Sequence, residues 1–307
     1  MKVLIIDAVH SALQEILEDN GHECLDMSQS KENEVFIALP FAEILVLRSR
    51  INIGRKEIDA CPNLKIIGRV GAGLEHIDVA YAQSKGINVL NSPEGNRQAV
   101  AEHALGMILA LFNHIPKADK EVRAGIWNRK ENQGIELSGK TIGIVGFGNT
   151  GSAFAQVLRG FEVKTIVYDK HLSEYNSPSN MQTIWDEADV VSLHIPYNSE
   201  THRLVSEKWI ASFKNPVYLI NTSRGSIVDT ESLLSALENN KVLGACLDVL
   251  EYETETLKMP DIATLPNEIN QLFNHPKVVL TPHIAGLTEQ SYEKLSRILA
   301  EKILAES

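Results

Sequence analysis

Residues 141–169, TIGIVGFGNTGSAFAQVLRGFEVKTIVYD, decide how the rest of the chain is read. Ile142, Ile144 and Val145 form an apolar strand that runs directly into the turn Gly146-Phe147-Gly148-Asn149-Thr150-Gly151. A helical pattern follows, with Ala153, Phe154, Val157 and Leu158 on one face. A second apolar strand over 163–168 ends on Asp169. Glycines spaced G-x-G-x-x-G mean little alone. Between a strand and a helix, with an acid about twenty residues on, they form a dinucleotide fingerprint. Gly146 permits the tight turn, Gly148 lets backbone approach a pyrophosphate, and Gly151 lets the helix pack closely on the strand. The unpaired N–H groups at the helix start face the phosphates, assisted by the helix dipole. Asp169 accepts hydrogen bonds from a ribose 2′-hydroxyl and repels a 2′-phosphate, so NAD is expected over NADP. The adjacent Lys170 works against that preference.

Working outward, 307 residues are enough for two domains of ordinary size. Apolar content of 44% and charged content of 22% are those of an ordinary globular protein. A net charge of −11, with no basic run, argues against nucleic-acid and anionic-membrane partners, and neither is expected. Cys24, Cys61 and Cys246 are widely separated and suit a reducing compartment, as small buried thiols. The start MKVLIID is too short and too quickly charged for a signal peptide. No apolar run reaches the length of a membrane span, so a cytoplasmic protein is expected.

Before the fingerprint, strand patterns at 2–7, 43–47, 64–69 and 87–91 alternate with helical ones, including 10–20. This βαβ rhythm predicts a parallel sheet with helices on both faces. The cluster Asn91-Ser92-Pro93-Glu94-Gly95-Asn96 reads as a hinge. A helix over 98–112 is apolar nearly all round, which suggests burial at a domain or subunit interface. Beyond Asp169, strands are predicted at 190–195, 217–221, 243–248 and 278–281, with helices at 200–213 and 230–240. A last helix over 289–306 is expected to return to the first domain. The fold class is thus α/β with two doubly wound domains. Ligands of such sheets bind beyond the carboxyl ends of the strands, which picks out His194, the run Asn221-Thr222-Ser223-Arg224-Gly225, Asp248 and Pro282-His283.

A nicotinamide cofactor implies hydride transfer, which needs a proton carrier and a substrate anchor. His283 stands at a strand end, and histidine as a residue type suits the first role. Glu253 is placed to hydrogen-bond the other ring nitrogen and fix the tautomer. Arg224 offers a planar fork for a carboxylate. Singly, each has an ordinary explanation: a core histidine, a solvated glutamate, a strand-end arginine. Three together at the strand ends of one cofactor sheet point to a site.

These residues lie in motifs that cover most of residues 45–286 in a familiar order. They are Gly68-Arg69-Val70-Gly71-Ala72-Gly73-Leu74-Glu75-His76-Ile77-Asp78, the 91–96 cluster, the fingerprint, His194-Ile195-Pro196, the 221–225 run, Leu247-Asp248-Val249 with Glu253, and Thr281-Pro282-His283-Ile284-Ala285-Gly286. The chain resembles the D-isomer specific 2-hydroxyacid dehydrogenase family, in its phosphoglycerate dehydrogenase-like branch. The resemblance implies a Rossmann NAD-binding domain (96–286) inserted in a flavodoxin-like substrate domain (1–95 plus 287–307). It implies Arg224, Glu253 and His283 as the catalytic set, with the backbone N–H groups of Val70, Gly71, Ala72 and Gly73 holding the substrate carboxylate. His194, Ile195, Pro196, Thr201, Thr222, Ser223, Asp248 and Gly286 are expected near the cofactor, with Asp248 by the nicotinamide carboxamide. Asn96 is expected on the substrate side. A homodimer built on the long helix and the loop before the fingerprint, with two domains closing over the substrate, is implied as well.

Arg48 matches the phosphoglycerate-type pattern, and Arg129 is a second expected phosphate contact, from the partner subunit. The expected substrate pair is 3-phosphoglycerate and 3-phosphohydroxypyruvate, a step of serine biosynthesis. Glycerate, glyoxylate and lactate-type acids remain alternatives, as does an NAD(H)-sensing corepressor. The usual proline after the catalytic glutamate is missing: the chain reads Glu253-Thr254-Glu255-Thr256 and then a longer segment to His275, expected to reshape the cleft edge. The chain stops at Ser307, so feedback through a carboxyl-terminal regulatory domain is not expected. Formate dehydrogenases pair their histidine with glutamine, and Glu253 argues against that activity. No metal site is expected, since the ten histidines show no zinc-type spacing. Ser223 has no nucleophile elbow.

Overall fold

Residues 1–171, 180–254, 256–257 and 259–307 are described in the computed structural model. The chain divides into two compact units. Unit 1 comprises Met1–Arg97, Thr254–Lys258 and Leu287–Ser307; unit 2 comprises Gln98–Glu253 and Met259–Gly286.

Unit 1 holds β1 (Lys2–Ile5), β2 (Glu23–Asp26), β3 (Ile44–Leu47), β4 (Ile66–Arg69) and β5 (Asn88–Asn91). They pair in the order β2-β1-β3-β4-β5, every pair parallel. This is the flavodoxin-like order, which switches direction between β1 and β3. Alternate side chains of each strand go to opposite faces, and both faces are buried because helices cover both. Leu4, Leu45 and Ile67 pack on one side with Val35, Leu39 and Ile58. Val3, Ile44, Val46 and Ile66 pack on the other against Leu13 and Leu17 of helix Ser11–Asp19 and Leu295, Leu299 and Ile303 of helix Glu289–Ala305. The terminal helix comes so close to Gly95 that a Cβ there would lie 2.6 Å from the Leu295 nitrogen.

Unit 2 holds β6 (Thr141–Val145), β7 (Lys164–Tyr168), β8 (Val190–Leu193), β9 (Val217–Asn221), β10 (Val242–Leu247) and β11 (Val278–Leu280). Among the described residues the order is β11-β10-β9-β8-β6-β7, again all parallel. The connection from β6 runs one way to β7 and the chain then returns to β8 on the other side, so the crevice of this sheet opens at β6. Helix Arg97–Phe112, whose all-round apolarity suggested an interface, puts Ala101, Ala104, Met107, Ile108 and Leu111 against Ile142, Ile144, Phe154 and Ile220 in unit 2's own core.

Two local expectations change. The helix expected over 200–213 is confined to Glu207–Ala211. Asn198 turns the chain by accepting from the Glu200 and Thr201 N–H groups, Arg203 takes a φ of 48°, and Val205 bridges to Val228, so turns occupy 199–203 and the helix starts only after Ser206. The edge strand β2 carried no alternating apolar signal because, of its four residues, only Cys24 is even half-buried.

Candidate functional site

The turn after β6 separates glycines that the protein needs from one that it does not. Gly146 has φ +93°, and a Cβ there would collide with the His194 carbonyl. A Cβ at Gly151 would collide with the Gly146 carbonyl, so this glycine lets helix Asn149–Val157 dock. Gly148 has φ −69°, and a Cβ there would meet nothing within 4 Å. Neither backbone shape nor packing requires glycine at 148; the space beside it is open. Asp169 is fixed at the same turn: Oδ2 accepts from the Phe147 N–H at 2.7 Å and Oδ1 from the His171 N–H at 2.8 Å. A carboxylate has about four acceptor positions, so capacity for a ribose hydroxyl remains. The fingerprint residues therefore fit a dinucleotide.

The neighbouring side chains form the floor of this turn. His194 is 8% exposed, its Nε2 lies 2.9 Å from Ser192 Oγ, and its ring stacks obliquely on Phe154. Burial pushes its pKa down to about 3, so it stands neutral and is unsuited to proton transfer. Thr201 Oγ1 donates to the Pro196 carbonyl at 2.8 Å, and Ser223 Oγ to the Leu193 carbonyl at 2.7 Å. Both hydroxyls, expected at the cofactor, tie loops together. Thr222 Oγ1 is buried with no hydrogen-bond partner, which leaves it for a ligand.

Arg224, Glu253 and His283 follow β9, β10 and β11, three adjacent strands. Asn221 Nδ2 donates to the Arg224 carbonyl at 2.9 Å, and a Cβ on Gly225 would collide with Leu250, so this turn lies flat against the 250–251 backbone. Glu253 is held by its Oε1, which accepts from the Leu250 N–H at 2.5 Å. Its Oε2 lies 2.7 Å from His283 Nδ1, with both side chains mostly buried. A carboxylate at Nδ1 keeps the proton on that nitrogen and leaves Nε2 outside the pair.

His283 itself sits in left-handed backbone, φ 56°. Asp248, 1% exposed, holds it there. The Asp248 carbonyl accepts from the His283 N–H at 2.7 Å. The carboxylate accepts from Thr281 Oγ1 at 2.6 Å and from the Ile284 and Ala285 N–H groups, each at 2.8 Å. Asp248, expected by the carboxamide, is thus the anchor of the loop that carries the imidazole. His103, on the long helix, completes the cluster: its Nε2 lies 2.9 Å from Thr281 Oγ1 and 3.5 Å from Asp248 Oδ1. His103 was not among the expected site residues; the available signal was a histidine on a mostly apolar helix. Behind Glu253, Arg203 pairs with Glu251 at 2.6 Å, and Glu251 Oε2 accepts from the Thr230 N–H at 2.9 Å, bracing the 250–253 turn.

The remaining expected residues lie mostly in unit 1. The Arg48 guanidinium stands 5.4 Å from the centre of the Tyr292 ring. Of the four N–H groups expected to hold a carboxylate, two are engaged within the unit: Val70 donates to the Leu47 carbonyl at 2.9 Å and Gly71 to Ser92 Oγ at 3.2 Å. Among the described residues no protein acceptor meets the N–H of Ala72 or Gly73. Asn96 Oδ1 is buried without a partner. Arg129, in unit 2, is exposed. In the segment after Glu253, Glu255 and Lys258 lie outside the described residues.

Comparison with known proteins places this arrangement. The family described as D-isomer specific 2-hydroxyacid dehydrogenase, NAD binding domain, matches residues 105–285. D-3-phosphoglycerate dehydrogenase of Archaeoglobus fulgidus is 34% identical over 310 residues, covering 99% of this chain and 57% of that protein. Hydroxypyruvate reductase of Thermotoga maritima is 37% identical over 280 residues, covering 90% of this chain and 88% of that protein. The crystal structure of D-lactate dehydrogenase from Aquifex aeolicus complexed with NAD and lactic acid superposes with a TM-score of 0.81 at 30% identity, covering 99% of this chain and 95% of that one. The chain belongs to the D-isomer specific 2-hydroxyacid dehydrogenase family, and its cofactor is NAD. It spans 57% of the length of the first phosphoglycerate dehydrogenase it matches and 53% of a second, from Synechocystis. No helix among the described residues is long and apolar enough to cross a membrane.

Proposed function

We propose that the chain is an NAD-dependent D-2-hydroxyacid dehydrogenase that interconverts 3-phosphoglycerate and 3-phosphohydroxypyruvate. The observation that carries the enzyme reading is the 2.7 Å bond between His283 Nδ1 and Glu253 Oε2 at the strand ends of a dinucleotide-binding sheet. When bound, NAD supplies the hydride acceptor. His283 Nε2 takes the substrate hydroxyl proton in oxidation and, protonated, returns it in reduction. Glu253 keeps the ring oriented. Arg224 grips the α-carboxylate and the oxygen at C2. Glu253 and Arg224 thereby set the direction from which the proton is exchanged.

The phosphate assignment rests on Arg48 and Arg129 and on likeness to phosphoglycerate dehydrogenases across nearly the whole chain. The second reading is a hydroxypyruvate or glyoxylate reductase, favoured by the 37% identity to the Thermotoga hydroxypyruvate reductase over 90% of this chain. A cytoplasmic homodimer completes the proposal. Ile115, Val122, Ile126 and Trp127, the last 79% exposed, line the stretch expected to meet a second copy.

Rates with NADH and 3-phosphohydroxypyruvate, hydroxypyruvate, glyoxylate and pyruvate test the reading. The phosphorylated acid should lead in kcat/KM by about tenfold or more, the worth of one charge-assisted contact. Equal rates on hydroxypyruvate would defeat the phosphate assignment. NADH binding without turnover of any acid would favour a sensor over an enzyme.

A further inference from the structure

Lys170 follows Asp169 and places a cation where the 2′-phosphate of NADP would arrive. Its charge is already engaged. Lys170 Nζ forms a salt bridge with Glu200 Oε2, whereas the carboxylate of its neighbour Asp169 is held by the Phe147 and His171 N–H groups. Glu200 is presented by a built loop rather than a loose one. Asn198 Oδ1 accepts from the Glu200 N–H at 2.9 Å and the Thr201 N–H at 3.1 Å, and Thr201 Oγ1 closes the turn on the Pro196 carbonyl at 2.8 Å. Lys170 follows β7 and Glu200 follows β8, and these are the two neighbours of β6. The bridge therefore spans the carboxyl end of β6, where the 146–151 turn begins.

We propose that Glu200 is a specificity-determining residue for the dinucleotide, holding the Lys170 ammonium so that a 2′-phosphate would meet two carboxylates with the Lys170 charge already engaged. Both members of the pair are exposed, so the bridge adds little to stability; its effect falls on ligand choice. A 2′-phosphate carries close to two negative charges. It must displace Glu200 from Lys170 and then lie beside both Glu200 and Asp169. NAD, with a neutral hydroxyl at that position, meets no such opposition and uses Asp169 as an acceptor.

The inference rests on the dinucleotide reading of the fingerprint and is independent of which acid is the substrate. Its test is equilibrium titration of the protein with NADH and with NADPH, followed by nicotinamide fluorescence, so no turnover is needed. The unmutated protein should bind NADH the more tightly. Glu200→Gln should improve the affinity for NADPH relative to NADH by about tenfold, the size expected from removing one charge near a dianion in water and freeing another. Lys170→Ala combined with Glu200→Gln should lose most of that gain. A Glu200→Gln ratio within about twofold of the unmutated protein would overturn the inference, because the charge removed would then be too remote or too well screened to matter. So would a gain that survives in the double variant, because Lys170 would then not be the cation withheld. An unmutated protein that binds neither dinucleotide would overturn the cofactor reading, and this inference with it.

Discussion

In unit 1 the residues that follow β1 and β3 and close β4 are Asp7, Arg48 and Arg69; in unit 2 the strand ends lead into a glycine turn, Arg224, Glu253 and His283. The two sheets are alike in build, all parallel and buried on both faces, yet their acids are used differently. Asp7 accepts from the Arg48, Ser49 and Arg50 N–H groups at 2.5, 3.0 and 3.3 Å and pairs with the Arg50 guanidinium at 3.5 Å. It is a structural cap, and the unit's strand ends keep a cationic character suited to an anionic ligand. Glu253 instead faces an imidazole, and Asp248 fixes the loop that carries it. Architecture alone does not assign the chemistry; the side chains that follow the strands do.

The largest expected effect tests whether the chemistry resides in unit 2. His283→Ala should lower turnover by about 10²–10⁴-fold, the usual worth of a general acid–base, while NADH binding persists. Turnover that survives would move the proton carrier elsewhere. Next come the glycines. Gly151→Ala drives a Cβ into the Gly146 carbonyl and should cost about 3 kcal/mol in denaturant-induced unfolding, at the upper end for overpacking. Gly148→Ala should change stability by less than about 1 kcal/mol yet weaken NADH binding by about tenfold or more. Equal behaviour of the two variants would mean that the room beside Gly148 is not kept for the cofactor.

A smaller effect should appear in both units together. Burial pushes His194 in unit 2 down to about 3 and, with Arg69 adding to it, His76 in unit 1 down to about 4. Unfolded, each regains a value near 6.5, so between that pH and the folded value the unfolded chain binds more protons. Stability is then complete above the unfolded value and falls as the solution is acidified. From pH 7 to pH 5 each histidine should withdraw roughly 2 kcal/mol. His194→Gln and His76→Gln should each remove about that much of the acid dependence in urea titrations at the two pH values. An acid limb unaltered in both variants would place its origin in other groups.

Much of unit 2 could be read from the chain because glycine is needed for reasons of backbone shape and close approach, and its spacing is a local property. The strand ends followed from apolar runs, and the rule that ligands gather there brought Arg224, Asp248 and His283 into view. Unit 1 was harder. Helices Glu32–Ala38, Arg55–Asp59 and Val79–Ser84 are two turns or shorter, too brief to show a helical period, and β2 is an exposed edge. Side-chain pairing at a distance was least legible. His103 meets Thr281 across 178 positions and Lys170 meets Glu200 across 30, and no local pattern encodes either contact.

The φ of 56° at His283 has a consequence of its own. Left-handed geometry costs a side-chain-bearing residue roughly 1 kcal/mol or more, whereas glycine adopts it freely. If His283 is the proton carrier proposed above, folding and chemistry ask for different amino acids at this position. The chain keeps an imidazole where the main chain would be more relaxed without one, and the Asp248 bonds impose that geometry from neighbouring backbone and side chains alone. The ring is aimed as the protein folds, so an arriving acid need not do the aiming.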